Sequence, residues 1–381
     1  MIAINTKKEC SGCYACLNKC PKKCITMEED NEGFKYPCID KEKCVKCGTC
    51  EKVCPILNCD KDSKVIPECY AAYNKDINTR IDSSSGGIFD LIARNFIENK
   101  GVVYGAAFDD ENNVKHIRVD KIDDLYKLRK SKYVQSEIGE CYKNVENDLK
   151  KMKLVYFTGT PCQVEGLLKY LKIEYSNLYT QDIICHGVPS KKVWQKYLNE
   201  KGINMRAKIN FRDKKDGWEL YNVKLEVENK IISTKNCDDL FIKSFLSECN
   251  IRPSCYSCKF KKVNRLSDIT LGDFWGVQQL HPEMYDNKGT SAILIHSGKG
   301  KKLFENIKKD IVYKQVKYED IVLNNNAYYE SVKKNKNREK FFENLDNYSM
   351  DSLCKKYCSP SIKTRIKSKI KKIIKKLLHY K

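Results

Sequence analysis

Two cysteine runs of one spacing stand near the start of the chain, Cys10-x2-Cys13-x2-Cys16-x3-Cys20-Pro21 and Cys44-x2-Cys47-x2-Cys50-x3-Cys54-Pro55. Three thiolates two residues apart reach three irons of one cube, and a fourth placed before a proline turns toward a neighbouring cube. The doubled run therefore predicts two 4Fe-4S clusters with crossed ligation. Cys10, Cys13, Cys16 and Cys54 would hold one, and Cys44, Cys47, Cys50 and Cys20 the other. Isolated C-x2-C pairs also suit structural zinc or disulfides. The doubled run with its prolines is far more specific, and it points to single-electron transfer.

Residues 1–62 resemble a bacterial two-cluster ferredoxin. Gly33-Phe34-Lys35-Tyr36-Pro37, between the runs, reads as the hairpin that joins the two halves of such a module. The polar stretch Asn58 to Lys64 reads as a linker. At 381 residues the chain is long for one ordinary domain, so a larger body over 68–345 is expected to follow. That body alternates apolar strands (Pro67 to Tyr73, Gly101 to Phe108, Leu154 to Phe157, Asp182 to Cys185) with amphipathic helices (Ile88 to Asn99, Pro161 onward, Val193 to Glu200). The pattern predicts a mixed α/β or α+β fold with some parallel pairing. Lys208 to Arg212 and Tyr221 to Val227 read as half-exposed strands with an Asp216-Gly217 turn between them.

The 21 cysteines would signal a disulfide scaffold only in a short secreted chain. The N-terminus lacks a signal-peptide apolar stretch, so reduced thiols and a cytoplasmic setting are expected. No apolar run approaches the roughly 18 residues of a transmembrane helix. The net charge of +21 predicts an acidic partner. Without a C2H2 finger or an aromatic RNP-like sequence, nucleic acid ranks last among such partners, behind an acidic ferredoxin or other redox protein. Over 360–381, Ile362, Ile366, Ile370, Ile373, Ile374, Leu377 and Leu378 recur at helical spacing among lysines, with no acid. This reads as a basic amphipathic helix for an anionic membrane surface, at the inner face, or for a partner groove. A terminal helix packing on its own domain is the plainer alternative.

Three body loops suit a bound cofactor. Ser83-Ser84-Ser85-Gly86-Gly87 precedes a helix, where hydroxyls and free N–H groups meet the positive dipole end. Ser-rich segments also cap helices without binding anything. Thr158-Gly159-Thr160-Pro161-Cys162 lies at a strand-to-helix junction, and Cys185-His186-Gly187 just past a strand end, where ligands of open α/β sheets gather. Lys132 and Tyr133 could supply a charge and a ring to a flavin; a plain surface strand is the alternative. His186 would hydrogen-bond a flavin or anion, or serve only structure.

Taken in order, SSSGGIF (83–89), SKYVQS (131–136), FTGTPCQVEGLL (157–168), DIICHGVP (182–189), FRDKKDGW (211–218), RPSCYSCKF (252–260) and SDITLGDFWG (267–276) resemble the coenzyme F420 hydrogenase/dehydrogenase beta-subunit family. The resemblance implies an FAD site, with Ser84, Ser85, Gly86, Gly87, Lys132, Tyr133, Gly159, Thr160, His186 and Gly187 as its candidates. It does not imply coenzyme F420 as substrate. Thiolates on two strand-end loops, Cys162 and Cys185, would converge with the C-x2-C pair Cys255 and Cys258 into a third four-ligand set. Family members lacking a ferredoxin module still carry a cluster, which assigns it to body cysteines. Zinc in the same place, or buried free thiols, are the alternatives. Cys249 is a reserve ligand, while Cys24, Cys38, Cys59, Cys69, Cys141, Cys237, Cys354 and Cys358 show no comparable spacing. The expectation is an iron-sulfur flavoprotein oxidoreductase passing electrons between clusters and FAD, with hydride exchange to a small two-electron substrate such as coenzyme F420. The alternative is an electron-transfer or redox-sensing adaptor with no substrate of its own. No residue stands out as a proton donor.

Overall fold

The computed structural model describes residues 2–60, 62–228 and 230–359. The expected amphipathic helix at 360–381 lies outside the described residues. No helix among the described residues is long and apolar enough to cross a membrane.

The N-terminal module is built on the antiparallel hairpin β1 (Ile25–Glu29) and β2 (Lys35–Ile39). Gly33, at φ +83°, makes its turn, and a Cβ there would stand 2.5 Å from Lys192 Cβ on the body. Short helices Ala15–Lys19 and Thr49–Lys52 follow the second cysteine of each run.

The body centres on eight strands, β3 (Glu68–Asn74), β4 (Val102–Phe108), β5 (Val114–Val119), β6 (Val155–Thr158), β7 (Leu178–Ile183), β11 (Ile269–Asp273), β12 (Ser291–Ile295) and β13 (Ile311–Val316). Their order is β13-β3-β12-β11-β7-β6-β4-β5. The central four, β11, β7, β6 and β4, are parallel, and antiparallel strands close both flanks. A second, antiparallel sheet of β8 (Lys208–Asp213), β9 (Asn222–Val227) and β10 (Lys230–Lys235) stands apart.

Alternation along the strands explains the layers. In β4, Val103 and Ala107 face helices Ile88–Glu98 and Gly298–Ile307, with Ile92, Phe96, Leu303 and Phe304 filling that core. Val102 and Tyr104 face the opposite way, toward Tyr142, Val145, Val164 and Leu167. The N-terminal module joins this second core through Cys13, Tyr14, Ala15 and Val53. Each fully buried side chain of this kind contributes about 1.5–3 kcal/mol.

Two expectations shift. The strand placed at Asp182 to Cys185 runs instead over Leu178–Ile183, because Leu178 to Asp182 are all buried between neighbours while Cys185 lies beyond the sheet edge. Lys132 and Tyr133 lie in irregular chain rather than on a strand.

Candidate functional site

The parallel strands all end on one edge, and the functional loops rise from it. β6 ends at Thr158, where Gly159 N donates to Gln181 O at 3.1 Å. Thr160 then caps helix Pro161–Leu171: Gln163 Oε1 accepts from Thr160 N at 3.0 Å, and Pro161 takes the first helical position. This cap sets Cys162 in the first turn, with its Sγ 3.1 Å from Thr160 Oγ1. Beyond β7, Ile184 N donates to Leu271 O at 3.0 Å, and the chain leaves the sheet as Cys185-His186-Gly187. A Cβ on Gly187 would stand 2.8 Å from Ile251 Cγ2, so only glycine lets the loop reach Cys255. Arg252 N then donates to Val188 O at 3.0 Å, which aligns the C-x2-C turn beside the loop.

Cys162, Cys185, Cys255 and Cys258 converge. Burial pushes all four thiols up, and Cys162 feels each of the other three. The buried pair Lys262–Glu165, 2.9 Å apart, ties the helix of Cys162 to the segment after Cys258. Two further cations act on the sulfurs. Arg265 is compensated by Asp182 at 3.1 Å, both side chains 2% exposed. Among the described residues Lys261 pairs with no carboxylate; its Nζ donates to Cys185 O and Ala327 O, and the ionisable groups that act on it most are Cys185 and Cys258. Burial pushes the Lys261 pKa down, and Cys185 and Cys258, once ionised, would push it back up. The residues therefore fit a group that holds these thiols as thiolates. Among the described residues no group of three or more His, Cys, Asp or Glu side chains closes on a single ion.

The N-terminal cysteines fall into two further groups. Cys54 stands with Cys10, Cys13 and Cys16: Cys13 and Cys16 both feel Cys10 and Cys54. Cys20, Cys44, Cys47 and Cys50 line one cavity with Ile25, Ile39 and Val45. Cys24, without comparable spacing in the sequence, shares that cavity, its Sγ 3.4 Å from Cys20 Sγ. No local pattern distinguishes it, because β1 folding back decides its position. Cys47 is exposed, whereas Cys13, Cys16, Cys50 and Cys54 are buried. Cys16, Cys50 and Cys54 share one apolar cluster with Cys162 and Cys258, so the N-terminal groups adjoin the body's. Arg252, fully buried, bolts the two parts: it donates to Cys10 O at 2.8 Å, Lys35 O at 2.9 Å and Gln135 Oε1 at 3.0 Å.

The other candidate residues gather at the same sheet edge. Ser84 Oγ accepts from Ser131 N at 2.8 Å, joining the serine loop to the segment of Lys132 and Tyr133. Gly86 packs so tightly on Ala72 and Ser291 that a Cβ would lie 2.5 Å from Ala72 O, and Gly87, at φ +81°, opens helix Ile88–Glu98. Lys132 Nζ donates to Arg129 O at 2.6 Å and Lys130 O at 3.2 Å, and burial pushes its pKa down to about 7. Tyr133 packs against Phe211 and Phe245, with centroids 5.3 and 5.4 Å away. His186 meets Phe245 edge-on at 5.1 Å, and its Nε2 has no hydrogen-bond partner. Burial and Lys261 push its pKa down to about 4, so its 3.8 Å approach to Glu248 is not an ion pair at neutral pH. Two residues of this edge were invisible as individuals in the sequence, Lys261 and Arg212. Both lie in or beside the sequence motifs, and only their burial sets them apart.

Residues 152–321 match the C-terminal family model of the coenzyme F420 hydrogenase/dehydrogenase beta subunit, and residues 9–57 match the 4Fe-4S dicluster domain. Over those two segments the chain is similar to that beta subunit's C-terminal region and to a two-cluster ferredoxin. The matched segment contains Cys162, Cys185, Cys255, Cys258, Lys261 and Arg212. A coenzyme F420-dependent sulfite reductase of Methanocaldococcus jannaschii is 26% identical over 270 residues, 61% of this chain and 42% of that protein. The I 2 subunit of the NADH-quinone oxidoreductase of Geobacter metallireducens is 44% identical over 57 residues, 14% of this chain and 44% of its own. The chain thus spans under half the length of both relatives. A chain of the F420-reducing [NiFe] hydrogenase complex of Methanosarcina barkeri superposes with a TM-score of 0.49 at 16% identity, covering 74% of this chain and 94% of that one. The matches are thus to an iron-sulfur domain at the N-terminus and to a region of an oxidoreductase subunit in the body.

Proposed function

We propose that the chain is an iron-sulfur flavoprotein oxidoreductase with three 4Fe-4S clusters and one FAD. When bound, the clusters would supply one-electron steps, and FAD would link these to a two-electron exchange with a small molecule. The observation that carries this reading is the contiguity of three cysteine groups, running from exposed Cys47 through Cys54 to Cys162 at the sheet edge. Cys20, Cys44, Cys47 and Cys50 would hold the outermost cluster; Cys10, Cys13, Cys16 and Cys54 the next; Cys162, Cys185, Cys255 and Cys258 the one beside the flavin loops.

The chain's own residues then have separable tasks. Arg252 keeps the N-terminal groups seated on the body, and Lys261 balances the charge of the body thiolates. The positive end of helix Ile88–Glu98, behind the Ser84–Gly87 loop, would favour the phosphates of FAD, with the Gly159–Thr160 turn bordering them. Tyr133 and the neutral His186 supply rings and a free ring nitrogen near it. Exposure of Cys47, which shares its cavity with Lys22 and Lys46, supports an acidic ferredoxin or similar redox protein as the one-electron partner. The sulfite reductase relative is described as coenzyme F420-dependent, which makes reduced F420 the first two-electron donor to try.

Anaerobic reconstitution of the full chain with iron, sulfide and FAD tests this. About twelve irons and one flavin per chain are expected, with flavin bleaching on addition of reduced F420 or NADH. About eight irons would remove the body cluster. Clusters with no flavin uptake would leave an electron-transfer adaptor.

A further inference from the structure

Arg212 is the penultimate residue of β8, and its side chain is 2% exposed. Its surroundings leave one part of the guanidinium without a task. Tyr221 lies 4.2 Å from the guanidinium carbon and Trp275 lies 5.1 Å from it, so aromatic rings cover the group. Nη1 donates to Asp273 Oδ2 at 2.9 Å and approaches Tyr133 Oη at 3.4 Å. Asp273 is already shared, since its Oδ1 accepts from Trp218 Nε1 at 3.0 Å. Nε and Nη2 are buried and have no hydrogen-bond partner among the described residues. These two N–H groups point the same way from the planar group, and together they form the side-on edge that grips two oxygens of one carboxylate or phosphate. Leaving charged donors unpaired inside a protein is costly, and a bidentate oxyanion is the ligand chemistry that relieves both at once.

The location agrees. Asp273 closes β11 at the same sheet edge as the cofactor loops, and Tyr133 belongs to the segment whose Ser131 binds Ser84. Lys214, two residues on, donates to Ser85 O at 2.8 Å and to Arg80 O at 2.7 Å, holding the end of β8 against the serine loop.

We infer that the Nε–Nη2 edge of Arg212 is the receptor for one oxyanion, a phosphate or a carboxylate, of a molecule bound at this sheet edge. The FAD phosphates and an anionic substrate share that chemistry. The inference rests on the sheet edge being a binding site, and it stands whether or not the molecule is FAD.

Calorimetric titration of the cluster-loaded full chain, kept anaerobic, tests it with four probes: FAD, riboflavin, inorganic phosphate and acetate. Riboflavin carries the flavin ring without phosphate. Phosphate and acetate are titrated with and without saturating FAD. Arg212→Met is expected to weaken at least one oxyanion probe by roughly tenfold or more, the loss expected of a bidentate charged contact, and to leave riboflavin unchanged. A loss confined to FAD identifies the cofactor phosphate as the ligand. Unchanged FAD binding with loss of phosphate or acetate identifies a substrate oxyanion. If wild-type protein binds no FAD yet responds to phosphate through Arg212, the flavin reading fails and the receptor remains. Should Arg212→Met lose its iron, Arg212→Lys decides: it keeps a charge for Asp273 but lacks the fork, so oxyanion affinity should fall while iron content holds. Equal binding of every probe by wild type and Arg212→Lys overturns the inference, as does a wild-type chain that binds none of the three oxyanion probes.

Discussion

The N-terminal thiols and the body thiols are built in opposite ways for what we propose is the same chemistry. Within each N-terminal run four cysteines lie inside eleven residues, Cys10 to Cys20 and Cys44 to Cys54, so a single loop brings most of a set together. The body's four are spread from Cys162 to Cys258 and meet only because β6 and β7 end on one edge. The surroundings differ as well. The outermost N-terminal group reaches solvent at Cys47, while the body group is walled by Lys261 and Arg265. Local spacing is enough to gather four thiols near the surface. A site beside the sheet edge needs the tertiary fold, and with it comes buried charge that solvent cannot screen.

The largest effect is expected where this contrast is cut directly. Cys162→Ala should lower iron by about four per chain and abolish flavin reduction, leaving the spectrum of the N-terminal clusters intact. Iron analysis and EPR of the dithionite-reduced protein check this, and loss of N-terminal signals instead would show that the two regions do not assemble separately.

Next comes the bolt between the regions. Arg252→Met strands the acceptors Cys10 O, Lys35 O and Gln135 Oε1, at a cost of about 3–5 kcal/mol. The melting temperature of the loaded protein should fall clearly. An unchanged melting temperature would mean that the module's apolar contacts alone seat it.

Lys261→Met sharpens the difference in charge. Removing a cation beside the body sulfurs disfavours the more negative reduced state. The midpoint potential of that cluster alone should drop, on the order of 100 mV at an effective dielectric of about 20. EPR-monitored redox titration reads it, and an equal shift in all clusters would show that Lys261 is not specific to the body group.

The smallest effect concerns the floor of the body loops. His116 is buried, bridges Ser136 Oγ at 2.7 Å and Thr158 O at 2.9 Å, and has its pKa pushed down to about 4 by desolvation. Between about pH 6.5 and 4 the unfolded chain binds a proton that the folded chain refuses, so stability falls with acid by up to about 1.4 kcal/mol per unit. His116→Gln should flatten that slope relative to wild type in urea titrations at pH 6.5, 5.5 and 5.0. An identical slope would assign the acid sensitivity to other groups.

Much of the fold was legible one element at a time. The apolar runs near β3, β4 and β6, and the capped starts at Gly87 and Pro161, mark elements within a residue or two of their observed bounds. The strand before Cys185 was misplaced because Leu178 to Ile183 mixes polar Thr180, Gln181 and Asp182 with apolar residues. Their burial is made tolerable by partners far along the chain, such as Asp268 for Thr180 and Arg265 for Asp182. Lys261 and Arg212 escaped notice for the same reason, since each becomes distinctive only through neighbours remote in sequence.

By itself, the sequence determined the two N-terminal cysteine groups and the character of the loops, because ligand spacing, glycine turns and helix caps act over a few residues. The tertiary structure decided which cysteine groups adjoin, what lies between them, and where a cation or an unpaired guanidinium is buried. Those depend on strand order and long-range packing, which place residues a hundred positions apart within a few ångströms and remove the water that would otherwise mask their charge.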